Sequence, residues 1–330
     1  VSRAERVGIV GAGRFGTALG NVIARQGRDV LMWSTAPDVV ESMNSARRNP
    51  RLPDVELADG LRATSDGAEL AREARFLVVA VGSTQVRDRA LALGDVIDGS
   101  HLVVHAIGAF ASPGDQRVST VLERETAALR IGVLAGPALP SDLVEHRFAS
   151  MVVASRFDEV TAEARRLLGG SEMLRLYRAS DLVGVELAAA LTGAYTLALG
   201  MADALGLGPG PRAVMVTRVV AEATRLVEAA GGSARTFSGL AGLGNLLVRS
   251  TSEARRLSLD YALGQEVGLG ETRPGNRVTE GARASAAAVR LARDLGVRVP
   301  LLDATNAVLT GNLSPRQAAQ AVAESVAQQE

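Results

Sequence analysis

Residues 7–20 (VGIVGAGRFGTALG) constrain this chain more than any other stretch. A short apolar strand runs into Gly11, Gly13 and Gly16, and an amphipathic helix then continues to about Gln26. Each glycine has a mechanical reason to be there. Gly11 permits the tight turn, Gly13 lets backbone approach a pyrophosphate, and Gly16 lets the helix pack close to the strand, while the helix N-terminus offers amide donors to phosphates. GxGxxG alone is a weak signal, but here it follows a strand and opens a helix, which is the context the motif requires. The expectation is a dinucleotide site, NAD or NADP, at the start of a doubly wound α/β sheet.

The chain that follows supports such a sheet. A second strand at 29–35 ends without the acidic residue that would bind a ribose 2′-hydroxyl; Ser34 and Thr35 stand there, so NADP is at least as well suited as NAD. Arg47 and Arg48 further on read as an ordinary solvated helix face. Residues 49–53 form a proline-punctuated loop. Buried strands are expected at 74–81, 101–108, 131–137 and 150–155, and residues 172–177 close the sheet. Asp181, whose carboxylate suits a helix N-terminus, opens an Ala-rich helix to Gly200 that is apolar nearly all round and therefore expected to be buried. Beyond it almost everything reads helical, near 211–230, 239–251, 252–264, 278–295 and 314–328. The predicted architecture is an N-terminal Rossmann-like doubly wound domain over 1–180 and an all-helical domain over 181–330.

Composition removes several chemistries. The chain has no cysteine, which excludes disulfides and thiolate chemistry, and its three histidines lack metal-site spacing. The net charge is zero, so no bulk field favours nucleic acid or an anionic membrane. No apolar run reads as a membrane span and no signal-like segment precedes the first strand, so a cytoplasmic location is expected. All 36 basic residues are arginine. Arginine stays protonated, so lysine proton transfer and Schiff-base chemistry are excluded.

Several stretches together resemble the NAD(P)-dependent glycerol-3-phosphate dehydrogenases: GAGRFGTALG, NPRLP, the AGP at 135–137, YRASDLVGVEL, TFSGLAGLGNL and VTEGARA, in that family's order over essentially the whole chain. The resemblance implies a Rossmann-like domain and a helical domain with the active site between them. It also implies reversible hydride transfer between NAD(P)H and dihydroxyacetone phosphate. In that family a lysine donates a proton to the ketone oxygen, because hydride attack leaves an oxyanion.

This sequence departs from the family pattern where that chemistry is done. Thr192 and Gly193 replace the family's Lys-Asn pair in the long helix, and Ile107, just before Gly108, replaces a second lysine. Asn245 replaces an aspartate. Of the phosphate-binding Ser-Arg-Asn only Arg256 is kept, with Arg255 and Leu257 beside it. Asp142 stands for a glutamate in the loop after Gly136, and Gly82 for a proline. By contrast Gly11, Gly13, Gly16 and Glu280 match, and Arg14 and Phe15 occupy the family's two cofactor-contacting positions. The substrate-pocket positions are therefore Gly108, Gly136, Thr192, Gly193, Asn245, Arg255 and Arg256.

Three readings follow. The chain is a homologue that binds NAD(P) without the usual turnover, serving as a sensor, scaffold or subunit for a protein partner. Alternatively it is an oxidoreductase with an altered substrate and proton donor, for which His105 is the candidate, two residues before Ile107 on one strand and supported by Glu186 if the fold brings them together. Ordinary dehydrogenase activity is the third. The apolar helical half is also a candidate homodimer surface.

Overall fold

The computed structural model describes residues 5–169, 173–251, 258–273 and 275–326. The chain forms two compact units: Val1–Ile107 with Ala111–Leu182, and Gly108–Phe110 with Val183–Glu330. The first unit is thus interrupted by a three-residue segment that groups with the second.

The first unit is an eight-stranded sheet in the order β3-β2-β1-β4-β5-β6-β7-β8. Its strands are β1 (Val7–Val10), β2 (Val30–Trp33), β3 (Leu61–Thr64), β4 (Phe76–Val79), β5 (Leu102–His105), β6 (Arg130–Ala135), β7 (Ala149–Ser155) and β8 (Leu174–Ala179). The helices between them are α1 (Arg14–Arg25), α2 (Pro37–Ser45), α3 (Gly67–Glu73), α4 (Val86–Gly94), α5 (Val118–Glu125), α6 (Pro140–Val144) and α7 (Asp158–Leu167). All neighbouring strands are parallel except β6 and β7. The central strands β1, β2, β4 and β5 are buried at every position, as a sheet covered on both faces requires. The chain order reverses between β1 and β4, which places the glycine turn after β1 at the switch point, where crevices open beyond strand ends.

Two elements were not legible beforehand. β3 is four residues with an exposed arginine, LRAT, too short and too polar for period-two alternation to stand out. It pairs with β2 in parallel register, Val30 opposite Leu61. The antiparallel turn of β7 was not anticipated either; the connection from β6 holds only the five-residue α6, and no full crossover helix forms to bring the chain back parallel.

The second unit is helical. It opens with α8 (Leu182–Ala204), then α9 (Pro209–Ala229), a π-helical turn at Leu240–Gly244, α10 (Asn245–Arg249), and helices at Leu259–Leu269, Glu280–Asp294, Pro300–Leu309 and Pro315–Val326. The Pro300–Leu309 helix is a further element absent from the sequence reading. The helix expected over 252–264 instead runs from Leu259 to Leu269, with Ser258 accepting from the Tyr261 amide, and residues 252–257 lie outside the described ones. α8 corrects a further expectation: its 23 residues are long and apolar enough to cross a membrane by length and composition. Burial within the structure of 94% of its most apolar stretch accounts for that composition.

Candidate functional site

The glycine turn is built by close approach. The Gly11 amide donates to the Trp33 carbonyl at 2.9 Å, tying the turn to the end of β2. Gly11 has φ +108, and a Cβ there would lie 2.6 Å from the Ala80 carbonyl oxygen; a Cβ on Gly16 would lie 2.7 Å from the Gly11 oxygen. Gly13 differs: the nearest atom to a Cβ there is the Ala80 oxygen at 3.9 Å, so the space above it is open. Gly13 is also the N-cap of α1, with no side-chain cap and no acidic residue in the first turn. The Arg14 side chain is exposed, and Phe15 packs against the sheet core. An uncapped first turn behind an open glycine fits an anionic pyrophosphate, whose oxygens would accept from those amides.

Asn49 enters the sequence reading only as the first residue of the NPRLP loop, with no role of its own. It is fully buried, and its Nδ2 donates to the Ala12 carbonyl (3.2 Å) and the Thr17 hydroxyl (2.7 Å), while its Oδ1 accepts from the Arg51 amide (2.9 Å). The proline-punctuated loop is thereby fastened to the back of the glycine turn. Arg47 and Arg48 are used in the same region. Arg47 donates to the carbonyls of Leu57 and Leu61, and Arg48 to that of Pro53, so both order the loop toward β3.

At the ends of β5 and β6 the expected residues are mainly structural in their surroundings. His105 is completely buried in register with Val79 and Val133. Ile107 is buried as well. Gly136 has φ +143, and a Cβ on it would lie 3.0 Å from the Met151 Cα, so close approach to β7 demands glycine. Asp142 accepts from the Leu139 amide at the start of α6 and pairs with Arg147 at 3.5 Å.

The helical unit gathers a second set. Thr192 is completely buried, and its hydroxyl donates to the Ala188 carbonyl of its own helix at 2.8 Å, with the Ala241 carbonyl of the π turn at 3.4 Å. Gly193 lies against Gly281: a Cβ on Gly193 would be 3.1 Å from the Gly281 Cα and from the Asp260 Oδ2. The buried Asp260 accepts from the Gly281 amide at 2.7 Å and has Arg249 at 3.9 Å. Gly108 belongs to this unit too, with an added Cβ falling 3.5 Å from the Ala189 carbonyl oxygen. Asn245 is buried at the start of α10, directly after the π turn, and Glu280 pairs with Arg283 at 3.3 Å. Thr192, Gly193, the 240–245 turn and the 279–281 segment are thus neighbours. Asp260 lies outside every motif read from the sequence, and Gly281, although inside VTEGARA, was not singled out there. Arg255 and Arg256 lie outside the described residues.

A doubly wound sheet with an open, uncapped glycine turn at its switch point, on a chain that continues into a helical unit, defines a Rossmann-type dinucleotide-binding protein. Two family models describing the N-terminus and C-terminus of NAD-dependent glycerol-3-phosphate dehydrogenase match residues 6–161 and 181–320. The chain belongs to this family. It is 34% identical over 310 residues to the glycerol-3-phosphate dehydrogenase (NAD(P)+) of Teredinibacter turnerae, covering 92% of this chain and 90% of that one. It is 34% identical over 322 residues to that of Thermobifida fusca, covering 95% of each. The crystal structure of glycerol-3-phosphate dehydrogenase from Coxiella burnetii superposes with a TM-score of 0.87 at 28% identity, over 97% of this chain and 99% of that one.

Proposed function

We propose that this protein binds NAD(P) at the glycine turn but does not carry out the family's dihydroxyacetone phosphate reduction by lysine proton transfer, and acts as a nucleotide-responsive, non-catalytic homologue. The observation that carries this reading is Thr192. By the motif resemblance it takes the place of the family's proton-donating lysine; it is completely buried and gives its hydroxyl proton to the carbonyl of Ala188. A neutral threonine hydroxyl has no pKa near neutrality with which to act as a general acid. With no lysine anywhere in the sequence, no other ammonium group takes over. Loss of a positioned general acid alone costs roughly 10²–10⁴ in rate.

Binding of a dinucleotide rests on the open Gly13 and the uncapped first turn of α1. When bound, the nicotinamide would supply hydride-transfer capacity; the chain's own part is to hold the phosphates on first-turn amides and to keep the turn rigid through Asn49. The test is a fluorescence titration with NADH and NADPH followed by an assay of dihydroxyacetone phosphate reduction. We expect saturable binding and no turnover above background. Robust turnover would sink the proposal. Turnover of another ketone that is abolished in His105→Ala would favour the altered oxidoreductase instead.

A further inference from the structure

A cation from α4 sits at the end of β2. Arg89, on α4, is half-buried with its guanidinium carbon 5.5 Å from the centroid of the Trp33 ring. Its Nη2 donates to the Thr35 hydroxyl at 2.8 Å. The indole beneath it is fixed in turn. Trp33 Nε1 donates to the Ser65 carbonyl at 3.2 Å, and Gly67 lies so close that a Cβ there would be 3.0 Å from the ring. The Trp33 carbonyl accepts from Gly11, so this seat adjoins the glycine turn. Among the described residues no carboxylate pairs with Arg89, whereas its neighbour Arg87 pairs with Glu125 at 2.9 Å. Ser34 and Thr35 leave the strand end neutral, and the first carboxylate beyond it, Asp38, is already in the first turn of α2.

We propose that Arg89, seated on Trp33, is the ligand for a ribose 2′-phosphate and makes this chain select NADPH over NADH. The inference rests on the dinucleotide reading above. A 2′,3′-diol needs an acceptor at this strand end, and a carboxylate supplies it; a 2′-phosphomonoester needs a cation and hydroxyl donors, and here Arg89, Ser34 and Thr35 supply them. A guanidinium stacked on a fixed indole is pre-oriented, and its planar fork can still point donors at phosphate oxygens.

The test titrates the full chain, wild type, Arg89→Ala and Arg89→Lys, with NADPH and NADH by fluorescence, and with adenosine 2′,5′-bisphosphate and 5′-AMP by calorimetry. Thermal melts check that the variants are folded. We expect the wild type to prefer NADPH and adenosine 2′,5′-bisphosphate by about tenfold or more over their partners lacking the 2′-phosphate. Arg89→Ala should weaken both phosphorylated ligands by about 10- to 100-fold and leave NADH and 5′-AMP within about twofold, with Arg89→Lys in between. Should Arg89→Ala not fold, the lysine variant and the wild-type preference decide. Wild-type binding of both cofactors without preference, or equal weakening of all four ligands in Arg89→Ala, overturns the role of Arg89 and leaves the dinucleotide site standing. Binding of none of them overturns both.

Discussion

Asn49 shows how a single side chain can support a binding site without facing a ligand. Its amide joins the Ala12 carbonyl and the Thr17 hydroxyl in buried bonds and accepts from the Arg51 amide at the edge of the loop. Truncating it leaves buried polar groups unmatched. Asn49→Ala should therefore destabilise the sheet unit by about 2 kcal/mol and weaken nucleotide binding, readable as a lower Tm and a raised Kd for NADPH. A variant with unchanged Tm and Kd would show that the loop does not brace the turn. Glu222, on α9, is the other informative residue. Its carboxylate accepts from the Leu301 and Leu302 amides at the start of the Pro300–Leu309 helix and from the Tyr195 hydroxyl. Burial is the main cause that pushes its carboxyl up to about 7, against the opposing pull of those backbone amides, the Tyr195 hydroxyl and Arg225. The folded state then holds the proton more tightly than the unfolded one. The stability from this group is complete below about pH 4.5 and is lost as pH rises toward 7, a loss on the order of 3 kcal/mol. Unfolding free energies measured from pH 4.5 to 8 should decline over that window, and Glu222→Gln should flatten the decline. An equal slope in the variant would assign it to other groups.

Among the elements, α8 and the Glu280–Asp294 helix meet through glycine. A Cβ on Gly281 would run into the Gly193 carbonyl, which is backbone and cannot swing aside, and into the buried Asp260 carboxyl that the Gly281 amide holds. Gly281→Ala should cost about 2–4 kcal/mol or force the two elements apart, seen as a lower denaturation midpoint with little change in m-value. A wild-type midpoint would mean that the contact relaxes at no cost. The same contact explains why the residue beside Thr192 is glycine here: the Gly193 position is closed by Gly281 and Asp260 and admits no larger side chain without a shift. The π turn has a parallel logic, with a Cβ on Gly242 running into the Phe237 backbone. That turn also delivers the Ala241 carbonyl toward Thr192. A π turn between α9 and α10 is a local irregularity of the kind often kept at functional sites.

Across the whole molecule, ligand binding and folding are linked. A nucleotide that binds only the folded sheet unit stabilises it by about 2.7 kcal/mol at a hundredfold excess over Kd. Thermal scans with rising NADPH should move the unfolding of that unit upward, and an unfolding temperature indifferent to saturating NADPH would argue against binding there. Much of the fold was legible in advance because the parallel strands β1 and β4 are unbroken apolar runs, β5 is one up to His105, and the amphipathic helices repeat at their own period. β3 was not, because an edge strand with an exposed Arg62 needs its partner β2 to become visible. The glycine turn was legible as a motif, since its three glycines carry the requirement themselves. The surroundings of Thr192 were not, because Ala241, Asp260 and Gly281 stand 49 to 89 positions away from it in sequence and meet it or its neighbour only after the helices pack.

Residue order is enough to specify a doubly wound sheet followed by helices, a dinucleotide turn at its start, and the lack of any lysine to move a proton. These are properties of local pattern and of composition, which need no neighbours. Packing makes Gly13 the open glycine while Gly11 and Gly16 are closed by backbone, and it commits the Thr192 proton to its own helix. It also brings Arg89, remote in sequence from β2, to rest on Trp33. The reason is physical: burial, close approach and the commitment of a hydrogen-bond donor depend on what packing brings within a few ångströms, and residue order alone does not hold that information.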